Sequence, residues 1–137
     1  MAGAGYSGTP LPRKLGIKPG CVLLLHGAPP GFAVPGLPDG VVRQVLPDAA
    51  EPFDVAVWFP ADRAEFERRL PELRAAMGQA AGLWTAWPKK AAGIPTDLGE
   101  DVFREVALPT GLVDNKVCAI DATYSGLRLV IRRELRR

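Results

Sequence analysis

Gly82-Leu83-Trp84-Thr85-Ala86-Trp87-Pro88-Lys89-Lys90 is the stretch that decides the fold. Alternation along an extended chain sends Leu83, Thr85 and Trp87 to one face and Trp84 and Ala86 to the other, and both faces are mostly apolar. That pattern belongs to a strand inside a sheet with a layer packed on each side. Pro88 has no ladder donor and ends the strand. In open α/β sheets ligands sit beyond the carboxyl ends of the strands, so Lys89 and Lys90 are expected at the rim where such a fold works.

Upstream, Cys21 to Leu25 is a continuous apolar run between Gly20 and His26-Gly27, as a buried parallel strand requires. Val41 to Leu46 reads as a second strand near an edge, and Phe53 to Phe59, closed by Pro60, as a third. Asp62-Arg63-Ala64-Glu65 has capping-box spacing and opens a helix to about Met77, with Phe66, Leu70, Leu73 and Met77 as its buried stripe. Pro71 is expected to kink or split that helix, and Gly78 to Gly82 to turn the chain into the central strand.

Downstream, Asp97-Leu98-Gly99-Glu100 repeats the capping spacing, so a second helix is expected from Asp97, with Leu98, Val102, Phe103 and Val106 inward and Pro109 and Gly111 as its stop. Val113 to Ile120 and Leu127 to Arg132 then form strands joined over Asp121 to Gly126. That gap is too short for a parallel crossover, which leaves a hairpin. The expectation is a three-layer α/β fold: a mostly parallel sheet with a C-terminal antiparallel hairpin.

A chain of 137 residues with 47% hydrophobic content is enough for one domain with its own core. Residues 1–19 are dense in glycine and proline and read as a flexible tip and extended arm, with Leu11, Leu15 and Ile17 available for packing. The domain proper is 20–133, and 134–137 a basic, solvated tail. A net charge of +2 permits nucleic-acid binding without indicating it. Cys21 and Cys118 lie in apolar runs, which fits a reduced cytoplasmic compartment. No signal core or apolar run of about 18 residues points to export or a membrane span.

The loop Gly27-Ala28-Pro29-Pro30-Gly31-Phe32 sits where a dinucleotide-binding fold places its phosphate turn. Such a turn presents backbone donors and then a helix start. Pro29 and Pro30 have no donors, and Pro35 and Pro38 with their glycines prevent a helix before the next strand.

The order of elements, the lead-in Leu15-Gly16-Ile17-Lys18-Pro19-Gly20 and the closing hairpin resemble the Rossmann-like fold of class I S-adenosylmethionine-dependent methyltransferases, truncated in its first half. Tyr6 to Leu11, Trp87 to Lys90, Thr96 to Leu98 and Lys116 to Asp121 resemble, more closely, a bacterial domain family of unknown function, which implies no assigned activity. The methyltransferase resemblance implies a cofactor held by a glycine-rich first loop and an acid closing the second strand. Here the loop carries prolines and only Asp48, beyond Pro47, stands near the acid's place.

Parallel strands up to the hairpin would bring four loops to one rim: His26 to Gly31, Pro60 to Asp62, Trp87 to Thr96 and Asp121 to Ser125. Trp87, Lys89, Lys90, Thr96, Asp121, Tyr124 and Ser125 are the expected ligand-binding residues. The lysines would hold a phosphate or carboxylate, Trp87 would stack on a ring, and the rest would orient polar groups. Each also has a plain structural use, as solvated lysines, a helix cap or turn residues. The single histidine rules out a multi-histidine metal site, and no acid, base and nucleophile set is evident. These residues favour a non-catalytic module for an anionic small molecule or protein partner, with no cofactor. A small-molecule methyltransferase and a weak nucleic-acid binder are the alternatives.

Overall fold

The computed structural model describes residues 9–45 and 51–136. Six strands form one sheet: β1 (Val22–His26), β2 (Val42–Gln44), β3 (Phe53–Trp58), β4 (Met77–Pro88), β5 (Leu112–Ala119) and β6 (Tyr124–Ile131). Their order is β2-β1-β3-β4-β6-β5. β1 pairs in parallel with β2 and β3, and β3 with β4, while β6 runs antiparallel to both β4 and β5. The fold class expected from the sequence is the one observed.

The alternation of the central strand separates two cores. Leu83 joins Leu24, Trp58, Leu127 and Leu129 on the face covered by α2 (Arg63–Ala75) and α3 (Glu100–Ala107), against Phe66, Leu70 and Phe103. Trp84 and Ala86 join Leu23, Val55 and Val57 on the other face. That face is covered thinly, by α1 (Leu11–Leu15) and by the crossover from β1 to β2, which packs Phe32, Val34 and Leu37 without a helix. Trp84 Nε1 donates to the carbonyl of Leu15 at 3.0 Å, wholly inside the protein. Trp58 Nε1, on the opposite face, is buried with no partner among the described residues.

Several boundaries depart from the sequence reading, each for a local reason. Leu11–Leu15 is helical and not extended, because Pro12 sits in the first turn, where its missing N–H costs nothing, and Gly16 closes the helix at φ 82°. Its Leu15 is 1% exposed, so this part of the arm is docked. Gly78 to Gly82 is not a turn. β4 already pairs at Met77↔Phe53 and next at Gly82↔Val55, so the run 78–81 is an irregularity within the strand and not a connection before it. α2 runs unbroken through Pro71, whose position is exposed, so water can take the carbonyl it leaves unbonded. The hairpin turn is tighter than expected, since β6 begins at Tyr124. Arg133–Leu135 forms a 3-10 turn where a frayed tail was expected.

Among the described residues no helix is long and apolar enough to cross a membrane. The Leu15 contact is testable by urea unfolding. Leu15→Ala is expected to cost about 2–5 kcal/mol, as for a core leucine. A loosely attached arm would lose no more than about 0.5 kcal/mol.

Candidate functional site

The carboxyl ends of β1, β3 and β4 and the amino end of β6 meet at one rim. His26 is beside Trp58, Pro88 pairs with Tyr124, and Lys89 N donates to Thr123 O at 2.8 Å. Two open cavities flank the segment Ile94 to Thr96. The larger, about 850 Å³, lies between Trp87, Lys89 and Lys90 on one side and the first turn of α3 on the other. The smaller, about 220 Å³, is bounded by Gly27, Phe59, Pro60, Thr96 and Tyr124, where strand order reverses between β1 and β3.

Of the seven expected residues, Trp87, Lys89, Lys90 and Thr96 share the larger cavity. Trp87 is half-buried with its ring inclined at 64° to Phe103, centroids 5.7 Å apart, and this contact fixes it as a wall of the cavity. Lys90 opens a 3-10 turn, Lys90–Ala92. Thr96 Oγ1 accepts from Leu98 N at 3.0 Å, shaping its own loop. Tyr124 lines the smaller cavity with Thr96, its ring edge-on to Phe59 at 5.1 Å. Asp121 and Ser125 line neither of these cavities. Asp121 Oδ1 accepts from Thr123 N and Tyr124 N at 2.8 and 2.7 Å, so it builds the hairpin turn. Ser125 lies in β6 between Trp87 and Ala119.

The second capping box does not form. α3 begins at Glu100 behind Gly99, which offers no side-chain cap, so the helix amides open toward the cavity. Asp97 instead caps the other helix: its Oδ1 accepts from Arg63 N at 2.9 Å. The first box does form, in altered shape. Asp62 Oδ1 accepts from Glu65 N at 2.8 Å, while Glu65 Oε1 reaches past Asp62 to Ala61 N at 2.7 Å. Arg63, bonded to Glu67 and Glu105, ties α2 to α3, and those bonds raise its pKa.

Arg104, not singled out in the sequence, belongs to the larger cavity. It reaches Asp114 Oδ2 at 3.0 Å and Glu100 Oε1 at 2.7 Å, and these bonds, Asp114 first, raise its pKa. The i,i+4 spacing of Glu100 and Arg104 was the available signal. With Arg104 engaged by carboxylates, the lysines form the cationic wall of the cavity and the first turn of α3 its acidic one.

Gly27 is required by packing. Its φ is +72°, and a Cβ there would stand 2.5 Å from Phe59 O. His26 offers its carbonyl to Phe59 N at 2.9 Å. Burial pushes the Cys118 thiol up despite Lys14 and Lys116, which speaks against a nucleophile. No group of His, Cys, Asp or Glu among the described residues could hold a metal ion.

No family model matches the sequence, and no curated protein does. Solved structures do match. A candidate methyltransferase from Thermoplasma acidophilum is 10% identical, covering 85% of this chain and 70% of its own, with a TM-score of 0.56. A TehB-like SAM-dependent methyltransferase from Corynebacterium glutamicum is 14% identical over 94% of this chain and 91% of its own, with a TM-score of 0.55. A SAM-dependent methyltransferase from Aquifex aeolicus is 15% identical over 87% of each chain, with a TM-score of 0.52. The likeness is one of fold: this chain has a methyltransferase-like Rossmann fold.

The crossed cap provides a test of how the site is assembled. Asp97→Ala is expected to lower stability in denaturant by about 0.5–2 kcal/mol, and Asp97→Asn, which keeps an acceptor, by much less. Equal losses for the two would contradict the bond to Arg63 N.

Proposed function

We propose that this chain binds an anionic small molecule at the carboxyl rim of its parallel strands, in the cavity between Trp87 and the first turn of α3. The observation that supports this best is that one cavity of about 850 Å³ is lined by Trp87, Lys89, Lys90 and the uncapped start of α3. That volume is in the range of small-molecule sites, roughly 300–1,000 Å³. Two ammonium groups favour an anion on the Trp87 side, where the indole offers an apolar surface, while Glu100 and Asp101 offset the pull of the α3 amino end on the other side.

A second reading is an S-adenosylmethionine-dependent methyltransferase acting on a small molecule. The fold of the solved neighbours favours it over the non-catalytic module, for which no structural observation speaks. The described residues fit the cofactor poorly. The cavity at the reversal of strand order is only about 220 Å³ and has no carboxylate in its lining. Pro29 and Pro30 follow Gly27, and Asp48 lies outside the described residues. Nucleic-acid binding through Lys89, Lys90 and the basic tail, which ends in Arg137, also outside the described residues, rests on charge alone; it would weaken steeply with salt.

Thermal-shift screening against phosphorylated and carboxylated small molecules, followed by calorimetry, tests the first reading. Lys89→Ala with Lys90→Ala should change stability by no more than about 0.5 kcal/mol, yet weaken the ligand found by about tenfold or more. Equal binding by both proteins would overturn the site. Titration with S-adenosylhomocysteine tests the second: micromolar binding would support it, and none at millimolar concentration would remove it.

A further inference from the structure

On the opposite face of the sheet from α2 and α3, the register of the hairpin sets Lys116 directly across from Arg128. Residues so opposed share a face, with Cβ atoms roughly 5 Å apart, and like charges there destabilise the pairing. Arg128 also lies against β4. A Cβ at Gly82 would stand 2.9 Å from its Cζ and Nη2, so the missing side chain of Gly82 is what lets the guanidinium rest on the strand.

Other cations gather around this pair. Arg136, whose Nε donates to Ile131 O at 2.8 Å, stands near enough to Arg128 to push its pKa down, an effect second to that of burial. Lys14 of α1 and Lys116 both act electrostatically on Cys118, which pairs with Gly126 two residues before Arg128. On the helical face Arg63 and Arg104 are held by carboxylates. Arg128 is different. Its guanidinium has five N–H donors, is half-buried, and forms no hydrogen bond or ion pair with any described residue.

We propose that Arg128, with Lys116 opposite and Arg136 beside it, is a second anion site that takes a phosphate group. A guanidinium fixed in one plane presents paired donors that match two phosphate oxygens, while an ammonium opposite supplies a point charge. An anion between them would meet the unbonded donors and turn the repulsion across the hairpin into attraction. The site is distinct from the rim: Lys89 and Lys90 lie at the end of β4, whereas Gly82 lies six residues before Pro88 on the same strand.

Calorimetric titration of the full chain with pyrophosphate at low salt tests this. The wild type should bind saturably, with Arg128→Gln weakening it about tenfold or more and Arg128→Lys falling between, because it keeps the charge and loses the paired donors. Lys116→Gln should weaken binding less, and Arg128→Gln should weaken the binding that remains in the Lys89→Ala, Lys90→Ala background by the same factor. Matching melting curves would show that Arg128→Gln still folds. Absence of saturable binding up to about 10 mM, equal binding by wild type and Arg128→Gln, or loss only in the Lys89 and Lys90 variant would overturn the proposal. A short single-stranded oligonucleotide titrated in parallel distinguishes the source of the phosphate. Tighter, Arg128-dependent binding of the oligonucleotide would mark a phosphodiester, and its failure beside pyrophosphate binding a free phosphate compound.

Discussion

The burial of β4 on both faces is the constraint on which the rest of the structure depends. Leu83 and Trp84 are both fully buried, and they serve two different cores. One face is closed by two helices with large apolar stripes. The other is closed by very little: a five-residue helix and an irregular crossover. Trp84 makes that thin layer sufficient, filling volume with its ring while its N–H holds the carbonyl at the end of α1. A smaller residue would leave both a void and an unmet acceptor.

Closing one face so economically has a consequence for the sites. The proline-rich crossover supplies no helix amino end at β1, so the lysines and the helix amino end found at this rim come from where β4 ends and α3 begins. The first loop is used instead for close packing: Gly27 lets β1 and the end of β3 approach, and Phe59 then carries the rings of Phe32 and Tyr124. A methyltransferase-like chain trace therefore surrounds a site whose polar groups are redistributed.

Charge is arranged differently on the two faces. On the helical face Arg63 and Arg104 are bonded to carboxylates and act as ties between elements. Exposed pairs of this kind contribute little to stability individually, and their effect is chiefly to fix orientation. Across the hairpin, by contrast, Lys116 and Arg128 face each other with no carboxylate bonded to Arg128 among the described residues.

The strands, their parallel and antiparallel senses, and the gathering of Trp87, Lys89, Lys90 and Thr96 were legible in the sequence, because period-two burial and proline stops are local signals. The capping residues were only half legible. Asp62 caps its own helix as its spacing implies, yet Asp97 has the same spacing and caps a helix that began more than thirty residues earlier. Local spacing states which bonds are possible, and only the packing of α2 against α3 decides between them. Asp121 and Ser125 were expected at the site from their position in the hairpin, but the Asp121 carboxylate is engaged by backbone amides of the turn. The helix at Leu11 was hidden because prolines and glycines read as breakers until their places in the first turn and at the cap are known. Opposition of Lys116 and Arg128 depends on the register of the hairpin, bulge included, and no property of either residue alone reveals it. Composition and periodicity determined which segments are buried; tertiary structure decided which polar groups meet, because those partners are set by three-dimensional distance and not by spacing along the chain.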